Sequence, residues 1–369
     1  MVYRSLVRPI LFRLPPETAH EFALHSLPFY TNFIGRPFES STLNTDLFNL
    51  CFKNPVGLAA GFDKNGVALE SLAALGFGFI EAGTVTYHPQ PGNPKPRMFR
   101  LSEDQALINR AGFNNAGAAA FAKRVERHRP DCVLGISIGK SKITPLEQAT
   151  EDYLASFELV YKLADYIAIN VSSPNTPQLR ELQQSDQLTS LLTALQTRNR
   201  ELQKTTSRPS PVPLLVKISP DLERRDLEMI VDVIQRLNID GIIATNTTVS
   251  RDNLRTNRAR VEECGEGGLS GKPLTDRSTK MIAELYQLTS GRIPLIGVGG
   301  IFTAEDAWEK ICAGASLVQL YTGFIYQGPR IVQEINQGLV QICEREGFAS
   351  INEAVGCNKS IRKESTIAG

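Results

Sequence analysis

Short apolar runs alternate with longer amphipathic stretches from about residue 50 onward, and this alternation constrains the fold more than any other feature of the chain. Apolar runs of four to six residues, bounded by turn residues, predict strands that are buried on both faces. The stretches between them carry apolar residues at helical spacing. Eight strand–helix units over about 280 residues predict a (β/α)8 TIM barrel. A doubly wound sheet is the competing topology, but no GxGxxG motif follows the first predicted strand.

The predicted elements can be given as ranges. The strands are predicted at Val56–Ala60, Gly78–Gly83, Val133–Ile138, Tyr166–Asn170, Pro213–Ile218, Gly241–Thr245, Leu295–Val298 and Leu317–Leu320. The helices between them are predicted at Val67–Leu75, Ala116–Arg127, Pro145–Ala164, Leu222–Leu237, Thr275–Leu288 and Ala304–Ala313. A segment rich in Pro, Gly and Arg, Tyr87–Phe113, predicts an insertion above the barrel. Two polar segments, Gln178–Gln203 and Val249–Gly267, are predicted to include loops or a lid.

The first forty residues differ from the rest of the chain. Tyr3–Phe12 and Glu17–Leu27 are two short amphipathic segments that Pro15 and Pro16 separate. Neither segment can cross a hydrocarbon core of about 30 Å at the rise of an α-helix. Two interpretations stay open: a two-helix cap packed on the barrel, or a device that lies in the membrane interface with its arginines at the lipid headgroups. We therefore predict an N-terminal helical extension, residues 1–40, and a catalytic barrel domain, residues 41–369.

Composition excludes several classes of function. The net charge is +1, which does not suggest nucleic acid as the main partner. The six cysteines are scattered without a CxxC pair, and none of the four histidines forms an HExxH motif, so neither a disulfide framework nor a metal site is predicted. The chain shows no signal peptide and no apolar run long enough to span a bilayer. A reducing, cytoplasmic setting is expected.

Polar side chains cluster where the predicted strands end. The stretch from Asn170 to Pro177 is dense in hydroxyls and amides directly after an apolar strand, although an ordinary turn uses the same residues. The other strand ends are similarly polar: they contain Ala60 to Lys64, Thr84, Ser137, Lys217 and Thr245 to Thr247. Because barrel active sites form at the carboxyl ends of the strands, these groups are predicted to share one cavity.

Glycines in the last third of the chain and two lysines at strand ends, Lys64 and Lys217, suggest the kind of ligand. Glycine-rich loops near Gly271 and Gly300, together with Tyr321 and Thr322, predict a phosphate site, because backbone N–H groups after strands seven and eight commonly hold phosphate in barrels. Lys217 lies in a run too apolar for an outward face, so it is predicted to point inward. A lysine ammonium there would stabilise the negative charge of a reduced flavin.

The chain resembles the dihydroorotate dehydrogenase family over nearly its whole length. The motifs that carry the resemblance are AAGFDK (59–64), EAGTVT (81–86), PQPGNPKPRMFRL (89–101), INRAGFNN (108–115), NVSSPNTP (170–177), VKISPD (216–221), ATNTT (244–248), GGLSGKPL (267–274), GVGGI (297–301) and LVQLYTGF (317–324). The extension and a serine at the base position resemble the membrane-associated, quinone-dependent class 2 enzymes. The resemblance implies FMN-dependent oxidation of (S)-dihydroorotate to orotate with a quinone as acceptor, in de novo pyrimidine biosynthesis.

The resemblance also implies roles for individual residues. Ser173 matches the catalytic base that removes the C5 proton of dihydroorotate, with Thr176 and an ordered water as its expected proton relay. The substrate site is matched by Lys64, Asn109, Arg110, Ala111, Gly112, Phe113, Asn170, Asn175, Asn246 and Thr247. The FMN site is matched by Ala60, Gly61, Phe62, Asp63, Lys64, Thr84, Ser137, Asn170, Lys217, Thr245, Gly271, Gly300, Tyr321 and Thr322. Ser137 departs from the asparagine usual in the family, and a water is expected to fill the space that the shorter side chain leaves.

The resemblance also implies a quinone site at the N-terminal extension. His20 and Arg100 match the polar groups that meet the quinone head, in a hydrophobic tunnel framed by the N-terminal helices. A monomer bound peripherally to the cytoplasmic side of the cell membrane is expected. Three alternative functions compete with this one: another FMN barrel oxidoreductase with a different substrate, a barrel isomerase or lyase without a flavin, and a non-enzymatic scaffold on the membrane surface. The NxxSPN and NRxGFNN motifs argue against the first, and the polar strand ends argue against the third.

Overall fold

The structure is a computed structural model that describes residues 2–176, 178–206 and 208–358. Pro177 of the predicted active-site loop and residues 359–369 of the predicted barrel domain lie outside the described residues. The strands are β1 (Thr45–Leu47), β2 (Leu50–Phe52), β3 (Val56–Leu58), β4 (Phe79–Val85), β5 (Met98–Leu101), β6 (Ala106–Asn109), β7 (Val133–Ile138), β8 (Tyr166–Asn170), β9 (Leu214–Ile218), β10 (Gly241–Ala244), β11 (Gly268–Gly271), β12 (Leu295–Val298) and β13 (Leu317–Leu320).

The helices follow the same order along the chain. They are α1 (Arg8–Leu11), α2 (Pro16–Thr31), α3 (Leu69–Ala74), α4 (Ala118–Val125), α5 (Ala149–Val160), α6 (Ser185–Thr206), α7 (Arg224–Arg236), α8 (Arg258–Cys264), α9 (Thr275–Leu288), α10 (Ala304–Cys312), α11 (Thr322–Gln327) and α12 (Ile331–Glu346). A π-helical turn, Tyr3–Val7, precedes α1. Single 3-10 turns lie at Ser41–Leu43, Ser102–Asp104, Leu146–Gln148, Leu179–Gln183, Lys272–Leu274 and Ile351–Ala354.

Eight parallel strands close into a barrel, in the order β3, β4, β7, β8, β9, β10, β12 and β13. The last strand pairs with the first, with Leu320 beside Leu58, so the sheet has no edge. The predicted (β/α)8 barrel is confirmed, and the doubly wound alternative is wrong because it would leave two open edges. Every barrel strand is buried along its whole length, which is why each one reads as an apolar run.

Side chains on each barrel strand alternate between the helices outside and the barrel interior. In β9, Leu214, Val216 and Ile218 pack with the helix-facing core, whereas Leu215 packs inside the barrel. Lys217 has the same parity as Leu215, and it therefore points inward. The hairpin of β1 and β2 contributes Phe52 to the interior cluster. The opposite end of the barrel, where the strands have their carboxyl ends, opens into a cavity.

A small antiparallel sheet covers part of that open end. Its strand order is β11, β6 and β5, so one strand of the predicted insertion, β6, pairs both with its neighbour β5 and with Gly268–Gly271 from much later in the chain. The glycines of this segment predict a loop, but the structure has strand β11 there. The two polar segments contain helices as well as the predicted loops: most of the segment 178–203 belongs to the long helix α6, and the segment 249–267 contains α8. Leu188, Leu191 and Leu195 bury the apolar face of α6.

The N-terminal extension packs against the barrel beside this small sheet. Both predicted helical segments are helical, and α2 runs to Thr31, beyond the predicted end at Leu27. Arg97, next to β5, forms hydrogen bonds of 2.6–3.3 Å with the Glu17 carboxylate of α2. The same guanidinium donates to the carbonyls of Pro91 and Asn93. None of the helices in the described part of the chain has the length and hydrophobicity that a membrane span requires.

Candidate functional site

The largest concentration of polar strand ends surrounds one cavity at the carboxyl end of the barrel. Its volume is about 1010 Å³ when the open mouth is included. Most of the residues predicted for the site line it: Ala60, Gly61, Lys64, Thr84, Asn109, Ala111, Gly112, Phe113, Asn170, Ser173, Asn175, Lys217, Thr245, Asn246, Thr247, Gly271, Gly300, Tyr321 and Thr322. The structure therefore brings together residues from seven of the eight barrel strands or the loops that follow them, together with the small sheet.

Ser173 lies among four asparagine side chains at this end of the barrel. Its Oγ accepts a hydrogen bond of 3.3 Å from the Asn175 backbone N–H. The Asn175 amide donates to Asn109 Oδ1 at 3.2 Å, and the Asn246 amide donates to Asn170 Oδ1, also at 3.2 Å. These bonds fix the amide planes, and each amide keeps hydrogen-bonding capacity for a ligand. A flat polar molecule with carbonyl, N–H and carboxylate groups suits such a set.

Thr176 carries a buried hydroxyl close to Ser173 along the chain. Its side chain is almost fully buried, and Oγ1 has no hydrogen-bond partner within the part of the chain that the structure describes. A buried hydroxyl without a partner costs free energy, so such a group is usually satisfied by an ordered water or a ligand. This hydroxyl can therefore hold a water near Ser173.

Lys217 reaches the cavity floor as half of a buried ion pair. Its Nζ lies 3.3 Å from Oε1 of Glu81, and both side chains are almost completely buried. The other carboxylate oxygen of Glu81 accepts from the Tyr166 hydroxyl at 3.1 Å and from the Gln319 amide at 2.8 Å. Glu81 is thus the anchor that directs Lys217. Burial, with the neighbouring Glu81 carboxylate, raises the pKa of Tyr166 well above its usual value, so the phenol remains a proton donor.

Lys64 lies at the cavity wall and donates to the Gly61 carbonyl at 2.8 Å. Burial lowers the pKa of Lys64 to about 8, and the nearby Glu17 carboxylate partly offsets that effect. The ammonium is therefore mostly charged at neutral pH, and it can bind an anionic group. Its charge disappears only as the pH rises through about 8.

Backbone groups of Gly271 and Gly300 form the end of the cavity where a phosphate is predicted. Both glycines have positive φ, 106° and 72°. A Cβ atom on Gly300 would lie 2.0 Å from Thr275 Oγ1, and one on Gly271 would lie 2.3 Å from the Gln105 carbonyl oxygen. Only glycine allows the chain this course. Both glycines line the cavity, and neither has a side chain that could block a ligand from the backbone.

Four predicted site residues do not line the cavity. Phe62 faces a second cavity, and the Asp63 carboxylate accepts from the N–H groups of Val67 and Ala68 ahead of α3. Arg110 instead donates to the carbonyls of Cys264, Glu266 and Pro96. Ser137 is fully buried, and its Oγ lies 2.9 Å from Thr84 Oγ1.

Thr84 links Ser137 to the cavity. The Asn170 amide donates to Thr84 Oγ1 at 2.9 Å, so Ser137, Thr84 and Asn170 form one hydrogen-bonded chain. Ser137 therefore reaches the cavity only indirectly, through its hydrogen bond with Thr84. The water expected beside the shorter serine stays a prediction.

Several residues outside the predicted set also line the cavity. Gln319 lines it, and its Oε1 has no partner in the described structure. Met98 lines this cavity and the second one as well. The only sequence signal for Glu81 and Gln319 was a polar residue inside an apolar strand. The other lining residues outside the prediction are Ala59, Ser270, Leu274, Val298, Gly299, Ile301 and Gly323.

The second cavity lies under the N-terminal extension. Its volume is about 1960 Å³ with its mouth included, and most of its wall is apolar. His20 lines it and donates from Nε2 to the Phe62 carbonyl at 2.8 Å. Burial lowers the pKa of His20 to about 4, so the imidazole is neutral at pH 7. Phe62 contacts both His20 and Tyr321 in edge-on geometry, and Tyr321 belongs to the first cavity.

Arg100 is the other predicted residue of this second cavity. Its guanidinium donates to the carbonyls of Phe12 and Leu14 and lies 4.5 Å from the centre of the Phe12 ring. Burial lowers the pKa of Arg100 from its usual value. The residue therefore ties the extension to the barrel and leaves a cation at the wall of an apolar cavity.

Comparison with known proteins gives consistent matches. A family model described as dihydroorotate dehydrogenase matches residues 42–343. A protein from Gloeobacter violaceus named dihydroorotate dehydrogenase (quinone) is 50% identical over 363 residues, covering 96% of this chain and 99% of that protein. A protein of the same name from Chloroflexus aurantiacus is 52% identical over 352 residues, covering 92% and 96%. The crystal structure of DHODH from Eimeria tenella with ferulenol superposes with a TM-score of 0.86 at 38% identity, over 93% of this chain and 95% of that one.

Proposed function

Because the chain belongs to the dihydroorotate dehydrogenase family, we propose that it binds FMN at the strand ends and passes electrons from dihydroorotate through that flavin to a quinone. The chain is an oxidoreductase that oxidises dihydroorotate to orotate with a quinone as acceptor, a reaction of pyrimidine biosynthesis. The observation that carries the proposal is the group of four asparagine amides around Ser173, in a cavity that also contains Lys64 and Lys217.

The residues of the cavity fit FMN. Gly271 and Gly300 offer peptide groups to a phosphate, and no Cβ could be added at either position. Lys217 offers a buried ammonium on the cavity floor, and Gln319 offers an acceptor without a partner among the described residues. The chemistry that bound FMN supplies is acceptance of a hydride and transfer of two electrons to a quinone. Lys217 would hold a positive charge beside the ring system and so favour its reduced, anionic form.

Ser173 acts as the base for the C5 proton of dihydroorotate. A serine hydroxyl is a weak base at its ordinary pKa, so it requires a group that takes its proton onward. The buried hydroxyl of Thr176, which has no partner in the described part of the chain, supports a relay through an ordered water. Asn109, Asn175 and Asn246 hold the pyrimidine ring by its amide edges, and Lys64 binds its carboxylate.

The second cavity is the proposed quinone site. It is large and mainly apolar, it opens under the extension, and Met98 lines both this cavity and the first one. Arg100 offers hydrogen-bond donors to the carbonyl oxygens of a quinone head, and Nδ1 of the neutral His20 ring offers an acceptor to a hydroxyl of the reduced quinone. Residues 1–40 therefore form a unit that serves quinone reduction, and residues 41–369 form the catalytic barrel.

The surface of the extension supports contact with a membrane. Phe29 and Phe33 are 71% and 75% exposed, and Leu6 and Ile10 are also largely exposed. Exposed apolar side chains beside arginines are typical of helices that lie in the membrane interface. We infer peripheral binding of a monomer to the cytoplasmic side of the cell membrane, which delivers a lipid-soluble quinone to the second cavity.

Two measurements test this function. The purified protein should be yellow, and the flavin released on denaturation should have the mass of FMN; a colourless protein that binds no flavin would exclude the proposal. A variant without residues 1–40 should keep dihydroorotate-driven flavin bleaching but lose turnover with a long-tailed quinone and binding to liposomes. A folded deletion variant with normal quinone turnover and normal liposome binding would make the extension a structural cap only.

A further inference from the structure

Lys310 of α10 is a buried lysine that the proposed chemistry does not use. Its side chain is completely buried, which is rare for lysine unless an acidic partner is present. Within the described residues, no carboxylate forms an ion pair with its ammonium. A buried charge without an opposite charge is costly, so its retention needs a physical reason.

The ammonium of Lys310 is fully hydrogen-bonded to the first turns of α9. Nζ donates to Ser278 Oγ at 2.6 Å, to Thr279 Oγ1 at 3.0 Å and to the Thr275 carbonyl at 3.3 Å. A lysine ammonium has three N–H donors, so these three acceptors satisfy its charged form. The arrangement holds a cation close to the start of α9.

The same residues of α9 hold the glycine loop that follows β12. Thr275 Oγ1 shares its hydrogen between the Lys272 carbonyl at 2.8 Å and the Gly300 carbonyl at 3.0 Å, and Ser278 Oγ donates to the Gly299 carbonyl at 3.4 Å. Lys310 therefore donates hydrogen bonds to both residues, Thr275 and Ser278, whose side chains hold this loop. The two glycine carbonyls are held on the side of α9, and Gly299, Gly300 and Ile301 of the same loop line the cavity.

We infer that Lys310 is a positioning residue for the phosphate of FMN: it fixes the Gly299–Gly300 loop through Ser278 and Thr275, and it supplies positive charge behind that loop. The inference rests on the proposed function, because it requires that FMN be the ligand. A phosphate dianion in front of the loop is the group that a cation behind it would attract. No other chemistry of the cavity requires a lysine at this position.

The charge on Lys310 should make FMN binding depend on pH. Burial lowers the pKa of Lys310 to about 7, and the carboxylates of Asp306, Glu309 and Asp276 partly offset that effect. The first two belong to α10 and the third belongs to α9. A bound phosphate favours the charged lysine, so binding takes up a proton when the free protein has lost it. FMN affinity should therefore fall as the pH rises from 7 to 9, a range in which the phosphate is already a dianion.

The test compares FMN with riboflavin, which lacks the phosphate. Flavin-free full-length protein is titrated with each flavin, and binding is followed by quenching of flavin fluorescence. Lys310→Met removes the charge and retains an unbranched side chain; it should weaken FMN binding about tenfold at pH 7, equivalent to 1.4 kcal/mol, and should abolish its pH dependence. Riboflavin affinity should change little. Lys280→Met, an exposed lysine of α9, is the matched control and should bind both flavins normally.

Several outcomes would overturn the inference. Unchanged FMN affinity and an unchanged pH profile in Lys310→Met would do so, and so would an equal loss of riboflavin and FMN. If Lys310→Met does not fold, measurements on the wild type still test the inference. The FMN affinity of the wild type should fall above pH 7, whereas its riboflavin affinity should not. Ser278→Ala should weaken FMN binding but keep the pH dependence. A wild-type protein that binds neither flavin would reject the proposed function itself, whereas normal FMN binding without a role for Lys310 rejects only this inference.

Discussion

Removing the ammonium of Lys217 should destabilise the fold and also weaken the flavin site. A second substitution, at Glu81, can separate these two effects. In Lys217→Met the carboxylate of Glu81 stays in the barrel interior without its cation, 3.3 Å from where Nζ lay. Removal of one partner from a buried ion pair typically costs about 3–5 kcal/mol. Glu81 keeps its hydrogen bonds from Tyr166 and Gln319, so we expect a loss of about 3 kcal/mol in the free energy of unfolding.

The double variant Glu81→Gln/Lys217→Met removes both charges. Replacement of a buried pair by neutral groups of similar size is often close to neutral, so the stability should return to within about 1 kcal/mol of the wild type. The flavin should behave differently. Both variants lack the ammonium on the cavity floor, so both should retain FMN poorly and lower the reduction potential of the bound flavin.

Urea unfolding of the flavin-free proteins, followed by far-ultraviolet circular dichroism, measures the first effect. Equilibration of the FMN-loaded proteins with reference dyes measures the potential. A double variant as unstable as the single one would refute the coupling between Glu81 and Lys217. A wild-type flavin potential in both variants would refute the contact between Lys217 and the flavin.

Three further predictions concern the base, the substrate carboxylate and the extension. Ser173→Ala should keep FMN but slow flavin reduction by dihydroorotate about 10²–10⁴-fold, and near-normal reduction at neutral and high pH would reject Ser173 as the base. Because burial lowers the pKa of Lys64 to about 8, the KM for the anionic substrate should rise between pH 7 and 9 in the wild type but not in Lys64→Met; a flat wild-type profile would contradict this. Glu17→Gln should lower the free energy of unfolding by about 1–3 kcal/mol and slow quinone turnover more than dihydroorotate oxidation. Glu334→Gln, which breaks the exposed pair with Arg4, should cost less than about 1 kcal/mol, and equal losses in the two variants would remove the special role of Glu17.

The barrel strands could be predicted from the sequence because burial on both faces makes each of them a nearly continuous apolar run. Tyr166–Asn170 and Leu317–Leu320 have the same limits in the prediction and in the structure. A strand that is covered by helices outside and by packed side chains inside is apolar along most of its length, so the ends of the apolar run mark the ends of the strand. The amphipathic helices followed from the same logic, as with α9 at Thr275–Leu288.

The small sheet could not be predicted, because its central pairing joins distant parts of the chain. β6 pairs with β11, whose sequence Gly268–Gly271 contains two glycines and is typical of a loop. The position of that pairing depends on the closed barrel beneath it. The helix α6 was missed for a different reason: its many polar residues concealed the stripe of Leu188, Leu191 and Leu195.

The cavity residues at strand ends were accessible from the sequence, but their supporting residues were not. Parallel strands of a barrel end on one face, so polar residues at those ends must converge. Glu81 and Gln319 lie inside strands, and a single polar residue in an apolar run does not reveal its partner. Lys310 gave no signal at all, because a lysine in an amphipathic helix usually faces solvent.

The most direct test of the central claim is anaerobic mixing of the purified protein with dihydroorotate in a stopped-flow spectrometer. Flavin absorbance near 450 nm is followed first, and a quinone is then added without oxygen. The account predicts that the flavin bleaches in one turnover, that one orotate forms per flavin, and that the quinone restores the absorbance. A flavin that stays oxidised in the presence of dihydroorotate would contradict the assigned reaction, and a flavin that bleaches but is not reoxidised by quinone would contradict the assigned acceptor.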